Sequence, residues 1–361
     1  MNPTKQKTLA IVISSLRMGG AERVASFVAN ELASQYRIVL FVWNEKERFY
    51  PLNSNVEIRI LATKNRGVLG NTLRIFKLWR AFKSEKVGLS ISFIHQTNIL
   101  SIFASKMARI PCIATEHSIF SALDSKFWRI LRYLTYPLAS CITTLTQQDL
   151  KHYHFVKNAY VLPNPVEIDC NPHTPPILES YRPYILSAGR MISSKGFDEL
   201  IEAFRIFSAE FPQYSLLLAG DGIQRQALEE QAKGLKCKFL GKIESLAPYY
   251  AKAEFFALAS HREALSNVLI ESLLCGTPVV SYDCPYGPKE IITCDGTTHN
   301  GILVKMDAKR VESLAAAFVE MAQNRKDYVK NTTLAYERFS SKVVLEKWQQ
   351  LVLDCLNKTP T

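Results

Sequence analysis

No stretch of this 361-residue chain approaches the ~18 consecutive apolar residues of a membrane span, because each apolar run soon meets Lys, Arg, His, Gln or Asp. A polytopic membrane protein is therefore excluded. Glycine (15) and proline (16) are sparse, and charged residues are 21% against 47% hydrophobic. Those values exclude a disordered, collagen-like or coiled-coil chain. The eight cysteines form no C-x-x-C, and no His or Cys cluster has zinc-ligand spacing. In a chain this long they read as reduced thiols of a cytosolic protein, many packed as small hydrophobes. G-x-G-x-x-G is also missing, so no dinucleotide is specified. There is no low-complexity tract and no internal sequence repeat.

What is present is enough chain for about two domains, each able to bury its own core. The N-terminus imitates a secretory signal, with Lys5 and Lys7 ahead of an apolar run over 9–13. That run is short, breaks at Ser14-Ser15 and leads into Arg17 rather than a cleavage site. It reads as a first strand. The charge is unevenly placed: residues 1–165 hold 22 Lys and Arg against 9 Asp and Glu, and the rest hold 22 against 24. The whole excess of +11 lies in the first half, which fits a polyanionic or membrane-surface partner there, or else a solubility surface.

Short β-branched runs alternate with helical patterns twice over. Strands are predicted at 9–14, 38–43, 89–93, 113–115 and 159–162, then at 184–187, 216–219, 238–240, 255–259, 279–282 and 302–304. Helices near 196–209, 223–233, 266–275 and 308–323 fill the later gaps. Continuous apolar strands between amphipathic helices mean doubly wound parallel sheets. Leu162-Pro163-Asn164-Pro165 and the Pro-rich stretch 171–183 read as a loop and hinge. The expected fold is α/β, two Rossmann-like domains facing each other across a cleft. Residues 1–166 form the first domain, 167–339 form the second, and a helix over about 340–361 packs back on the first.

Three places on predicted strand ends could carry chemistry. Gly19-Gly20, between the first strand and a helix, lets backbone N–H groups and the helix N-terminus approach a phosphate, or simply makes a tight turn. Gly189-Arg190 closes a strand with Lys195-Gly196 five residues on. A planar fork and a point charge suit a diphosphate, unless they belong to a solvated loop. Glu263 sits in the turn after a strand and Glu271 about two turns inside the helix that follows; eight residues are ~2.2 turns, so both carboxylates are expected on one side, with Ser266 and Asn267 able to cap the helix. Glu271 could accept from a ribose diol, and Glu263 could contact a sugar and favour developing positive charge. The alternative, two exposed glutamates, fits poorly beside Val268, Leu269, Ile270 and Leu273.

Glu263 through Glu271 resembles the E-x7-E element of retaining GT-B glycosyltransferases of family 4. Also matching in order are Gly19-Gly20-Ala21-Glu22, Glu116-His117-Ser118, Asn164-Pro165, Gly189-Arg190 with Lys195-Gly196, Ala219-Gly220-Asp221-Gly222, Phe239-Leu240-Gly241 and Cys275-Gly276-Thr277-Pro278. Within the family the sequence looks most like bacterial enzymes that extend lipid-linked oligosaccharides or lipopolysaccharide, such as N-acetylgalactosamine transferases of protein glycosylation. The resemblance implies a sugar moved from a UDP-sugar to a polyprenyl-diphosphate oligosaccharide or lipopolysaccharide hydroxyl. It implies Arg190 and Lys195 on the leaving diphosphate, Glu271 on the ribose, Glu263 and His117 at the donor sugar, and Gly19 and Gly20 against the diphosphate and acceptor. Gly241 and Lys242 would lie near the base, and Leu265, Ser266 and Asn267 along the donor. No cofactor or metal is expected, since the two cations replace one and the chain has no D-x-D. Front-face transfer through an oxocarbenium-like state is the family's usual mechanism.

One departure is Ala264-Leu265-Ser266, where the family usually has Gly first; a Cβ there implies φ below zero. His95 and His261 are assigned to structure or surface. In the basic half Arg66, Arg74, Lys77 and Arg80 run through a helix whose other side carries Ile75, Leu78, Trp79 and Phe82. Lys126-Phe127-Trp128-Arg129-Ile130-Leu131-Arg132-Tyr133 mixes aromatics with cations in the same half. With Arg17, these cations are expected on acceptor pyrophosphate or anionic lipid, or else merely solvated. The first reading makes the protein peripheral on the cytoplasmic face of the cell membrane, with no nucleic-acid partner. The rival classes are a UDP-sugar epimerase of similar layout and a basic phosphate- or nucleic-acid-binding protein.

Overall fold

Runs such as Leu9–Ile13 and Leu216–Ala219 are apolar on successive residues, so both faces of a strand built from them must be covered. The computed structural model, which describes residues 7–44, 48–63, 67–123, 125–169, 176–292 and 299–357, covers them in two compact units. One comprises Met1–Pro165 with Val344–Thr361, the other Val166–Val343.

The first unit holds seven parallel strands: β1 (Thr8–Ile13), β2 (Arg37–Val42), β3 (Glu57–Ile60), β4 (Val87–Phe93), β5 (Cys112–Thr115), β6 (Cys141–Thr144) and β7 (Ala159–Val161). Their order is β3-β2-β1-β4-β5-β6-β7. Leu9, Ile11 and Ile13 face a core shared with helix Gly20–Leu32 and with Val344, Trp348 and Val352 of helix Ser341–Asn357. Ala10 and Val12 face the other way, onto Leu78 and Phe82 of helix Gly67–Ser84 and Ala104 of helix His95–Ala108.

The second unit holds β8 (Tyr184–Ala188), β9 (Ser215–Ala219), β10 (Cys237–Gly241), β11 (Phe255–Leu258), β12 (Val279–Tyr282) and β13 (Gly301–Val304), in the order β10-β9-β8-β11-β12-β13. Helices Phe197–Glu210 and Arg310–Val329 bury Phe204, Phe207 and Phe318 against this sheet. In each sheet the order reverses between the first strand of the unit and the fourth. Loops leaving those two strands open a crevice where such folds take ligands.

Two strands were not predicted. β3 alternates Glu57-Ile58-Arg59-Ile60 at a sheet edge, so it lacks the continuous apolar run of a central strand. β6 reads Cys141-Ile142-Thr143-Thr144, too short and hydroxyl-rich to stand out. Part of the predicted hinge, 171–175, lies outside the described residues, and Pro176–Tyr181 forms a 3-10 helix rather than a loop. The reading of all cysteines as reduced thiols is also corrected, because Cys275 is disulfide-bonded. Cys170 and Cys294 lie outside the described residues. No helix among the described residues is long and apolar enough to cross a membrane.

Candidate active site

In the second unit, the loop leaving β8 is packed so tightly that only glycine fits at its corners. Gly196 has φ +61°, and a Cβ there would overlap the Ala259 carbonyl oxygen. Gly220, at φ +124°, donates its N–H to Gly241 O at 2.7 Å, and a Cβ on it would overlap the Gly189 carbonyl. The strand ends carrying Gly189, Gly220 and Gly241 are thus locked edge to edge. Lys195 ends the turn Ser193–Lys195, and Gly196 starts helix Phe197–Glu210.

Across the switch point, the loop leaving β11 carries Glu263. Lys195 Nζ donates to Glu263 Oε1 at 2.6 Å, with side chains 21% and 11% exposed. An ammonium has three protons to donate, so Lys195 can keep Glu263 and still take a phosphate oxygen. Glu263 lies in an extended segment bridged to Tyr286, not on the helix. Tyr286 adopts φ +82°, costly for a bulky residue, and Gly287 beside it packs against Leu265. Helix Asn267–Leu274 begins only after Ser266. Glu263 thus precedes the helix and Glu271 lies within it, as expected, but the extended backbone at Glu263 means that helical spacing does not relate the two carboxylates; Glu271 Oε2 accepts from Tyr250 OH at 3.2 Å. The Ser266 cap is corrected. Ser266 stands at the N-cap, but its buried hydroxyl makes no capping bond and has no partner. Ala264 keeps an ordinary φ, since among the described residues the positive-φ residues other than glycine are Lys86, Ile94, Arg109 and Tyr286.

The remaining second-unit residues are placed as follows. Arg190 and Lys242 are exposed and form no ion pair among the described residues, Leu265 is buried, and Asn267 opens the helix. No group of three or more His, Cys, Asp or Glu side chains among the described residues is placed to hold a metal ion.

In the first unit, Gly19 precedes helix Gly20–Leu32 in extended conformation. Its N-terminus is not bare: the Glu22 carboxylate folds back to where a Gly19 Cβ would stand, and burial raises the Glu22 pKa. Beyond β5, Glu116 and His117 lie side by side. Glu116 is 2% exposed; burial pushes its pKa up to about 7, opposed by the Tyr136 hydroxyl, which donates to Oε1. Asn98 Nδ2 approaches the same oxygen at 3.4 Å and also donates to Thr115 O at 2.9 Å. His117 stacks on Phe93 with centroids 5.3 Å apart, and both ring nitrogens are buried with no hydrogen-bond partner, Asn164 lying nearby without bond geometry. Burial drops its pKa to about 4, so it is neutral near pH 7. His95 is half-buried beside the Arg132 cation, and burial lowers its pKa first.

Of the basic residues, Arg17, Lys77 and Arg80 are exposed. Arg74 is not free: its guanidinium lies 5.7 Å over the Trp43 ring and donates to Asn71 Oδ1 at 2.9 Å. Arg66 lies outside the described residues. Sequence reasoning missed Tyr250, Tyr286, Tyr136 and Asn98. Each acts through a contact distant in sequence, and none carries a local signal.

Two doubly wound parallel sheets, each with a crevice at its switch point, have the layout of the GT-B fold. Residues 18–169 match the family described as Glycosyltransferase Family 4, and residues 182–324 match Glycosyl transferases group 1. The chain is 30% identical over 359 residues, 97% of its length and 99% of the other's, to the Campylobacter jejuni GalNAc-alpha-(1->4)-GalNAc-alpha-(1->3)-diNAcBac-PP-undecaprenol alpha-1,4-N-acetyl-D-galactosaminyltransferase. It is 25% identical to the amylovoran biosynthesis glycosyltransferase AmsD of Erwinia amylovora, over 96% of this chain and 99% of that one. Anabaena HepE in complex with UDP shares the fold, with TM-score 0.78 at 19% identity over 96% of this chain and 100% of HepE. This chain belongs to the family 4 glycosyltransferases. The epimerase alternative has no support among these relatives.

Proposed function

We propose that the enzyme transfers a sugar, GalNAc or another hexosamine or hexose, from a UDP-sugar to a hydroxyl of a lipid-linked oligosaccharide or lipopolysaccharide, with retention and without a metal. The observation that carries this reading is the Lys195–Glu263 pair at the switch point, 2.6 Å apart. Lys195 and the unpaired Arg190 stabilise the negative charge of the departing diphosphate. Glu263 favours the positive charge developing at the anomeric carbon, Glu271 holds the ribose hydroxyls, and the Gly241-Lys242 stretch and the start of helix Asn267–Leu274 line the donor. The first unit's His117 serves the donor sugar as a neutral hydrogen-bonding ring, and Gly19 and Gly20 serve the diphosphate and acceptor. The acceptor oxygen bonds to the anomeric carbon on the face that the phosphate leaves. The carbon–phosphate oxygen bond breaks, and the hydroxyl proton passes to the departing UDP. The acceptor class rests on the names of the Campylobacter relative and of the Erwinia protein.

A peripheral seat on the cytoplasmic face of an anionic membrane, with no nucleic-acid partner, completes the proposal. It is supported by the cationic excess of residues 1–165 and by helix Lys126–Thr135, where Phe127, Ile130 and Leu134 are 52%, 59% and 66% exposed beside exposed Lys126 and Arg129. On helix Gly67–Ser84, Lys77 and Arg80 flank the exposed Phe76, and both helices pack on His95–Ala108. Apolar residues among cations suit a headgroup layer.

A panel of UDP-sugars offered with a polyprenyl-diphosphate oligosaccharide, scored by product mass, UDP release and anomeric configuration, tests the reading. A heavier α-linked product from one donor, unaffected by EDTA, is expected. UDP release without a heavier product would remove the acceptor assignment, and an inverted product would remove the mechanism.

A further inference from the structure

Four donors converge on one carboxylate that the mechanism above does not use. Glu199, in the first turn of helix Phe197–Glu210, is 12% exposed in its side chain. Its Oε1 accepts from His261 Nε2 at 3.0 Å and from Arg310 Nη2 at 2.8 Å. Its Oε2 accepts from Tyr282 OH and from Arg310 Nε, each at 2.8 Å. An ionised carboxylate only accepts, so His261 must carry its proton on Nε2. The donors come from three places: the loop leaving β11, the end of β12 and the first turn of helix Arg310–Val329.

Glu199 is four residues beyond Lys195, and His261 is two before Glu263. His261 is gripped twice, its ring by Glu199 and its backbone N–H by the Ser194 carbonyl at 3.0 Å. The loop bearing the cation and the loop bearing the carboxylate are thereby clamped together next to each partner. Neutralising Glu199 would need Arg310 alone, and a single pair near the surface contributes little to stability. The Tyr282 and His261 bonds add geometry rather than charge balance. A misplacement of ~1 Å can cost ~10²-fold in rate, so a clamp on both loops matters to the transfer step.

We infer that Glu199 is a positioning residue for glycosyl transfer, fixing the separation of Lys195 and Glu263 by tying His261 to the helix that follows Lys195. The inference rests on the roles proposed for that pair. Glu199 touches no reacting atom; it acts through the two loops.

The test is hydrogen exchange and kinetics on the full chain with Glu199→Gln and, as a milder variant that leaves the Arg310 pair intact, His261→Ala. Both variants are expected to speed amide exchange in both loops, 192–196 and 259–263, while the sheet keeps its protection. They should lower kcat ~10-fold and change UDP affinity less than ~2-fold. In a Lys195→Ala background Glu199→Gln should add little further loss, because its effect passes through that residue. Exchange unchanged in either loop, or a full additional loss in the Lys195→Ala background, would overturn the clamp. A Lys195→Ala enzyme with wild-type turnover would instead break the reading of the pair itself.

Discussion

The two units use one strand order and treat their buried acids in opposite ways. At the second unit's strand ends, Glu263 is paired with Lys195, and Glu199 with Arg310 and His261. At the first unit's strand ends, Glu116 is held by a tyrosine hydroxyl and an amide, and its neighbour His117 is neutral with unpartnered nitrogens. A paired cation is ready to take an incoming phosphate. A buried neutral ring and a carboxyl titrating near 7 offer hydrogen bonds to neutral hydroxyl groups and repel no anion when protonated. The topology supplies the same crevice twice, and the side chains decide whether it receives charge or hydroxyls.

The largest expected effect breaks the comparison on the second side. Lys195→Ala or Glu263→Ala should leave a folded protein by circular dichroism and reduce transfer by ~10²-fold or more. Turnover at the wild-type rate would remove the assigned roles. Next is Gly196→Ala, where a Cβ meets the Ala259 carbonyl at a positive φ. It should cost about 3 kcal/mol in chemical denaturation, against little for an alanine at Gly20, which has open space.

The first unit is tested by pH. The folded-state pKa of Glu116 is raised to about 7 from 4.5, so its contribution to stability is full below pH 4.5 and lost as pH rises through 7. Glu116→Gln keeps an acceptor for Tyr136 and should gain stability on wild type between pH 4.5 and 7, by up to about 3 kcal/mol. For His117 the folded pKa falls to about 4 from 6.5, so its contribution is full above 6.5 and lost as pH falls to 4. His117→Asn should flatten that acid-side loss. Parallel stability–pH curves for variants and wild type would contradict the burial argument.

The smallest effect concerns the membrane. Lys77→Glu with Arg80→Glu should lower binding to anionic liposomes several-fold at low salt, and Phe127→Ser with Leu134→Ser should lower it at any salt. Arg74 is a poor choice for charge reversal because it lies over Trp43. Equal binding by all variants would sink the surface reading.

Much of this was legible in the sequence. Eleven predicted strands match observed ones, and those buried on both faces, such as β1, β8 and β12, announce themselves as continuous apolar runs. β3 and β6 were not legible, because an edge strand and a four-residue Thr-rich strand lack that run. Of the candidate site, the two loops that bring Lys195 and Glu263 together were legible, because each follows an apolar strand run. Its supports were not. Tyr250 reaches Glu271 across 21 positions and Arg310 reaches Glu199 across 111, distances over which one sequence carries no signal. The extended backbone at Glu263 was not legible for a related reason: the bridge to Tyr286 that holds it is a tertiary contact.

The contrast between the units is tested most directly by titrating UDP into wild type, Lys195→Ala and His117→Ala and reading affinity by calorimetry. The account predicts binding by wild type, at least ~10-fold weaker binding by Lys195→Ala, and wild-type affinity for His117→Ala, since UDP lacks the transferred sugar. Equal affinity in wild type and Lys195→Ala, or loss in His117→Ala alone, would contradict it.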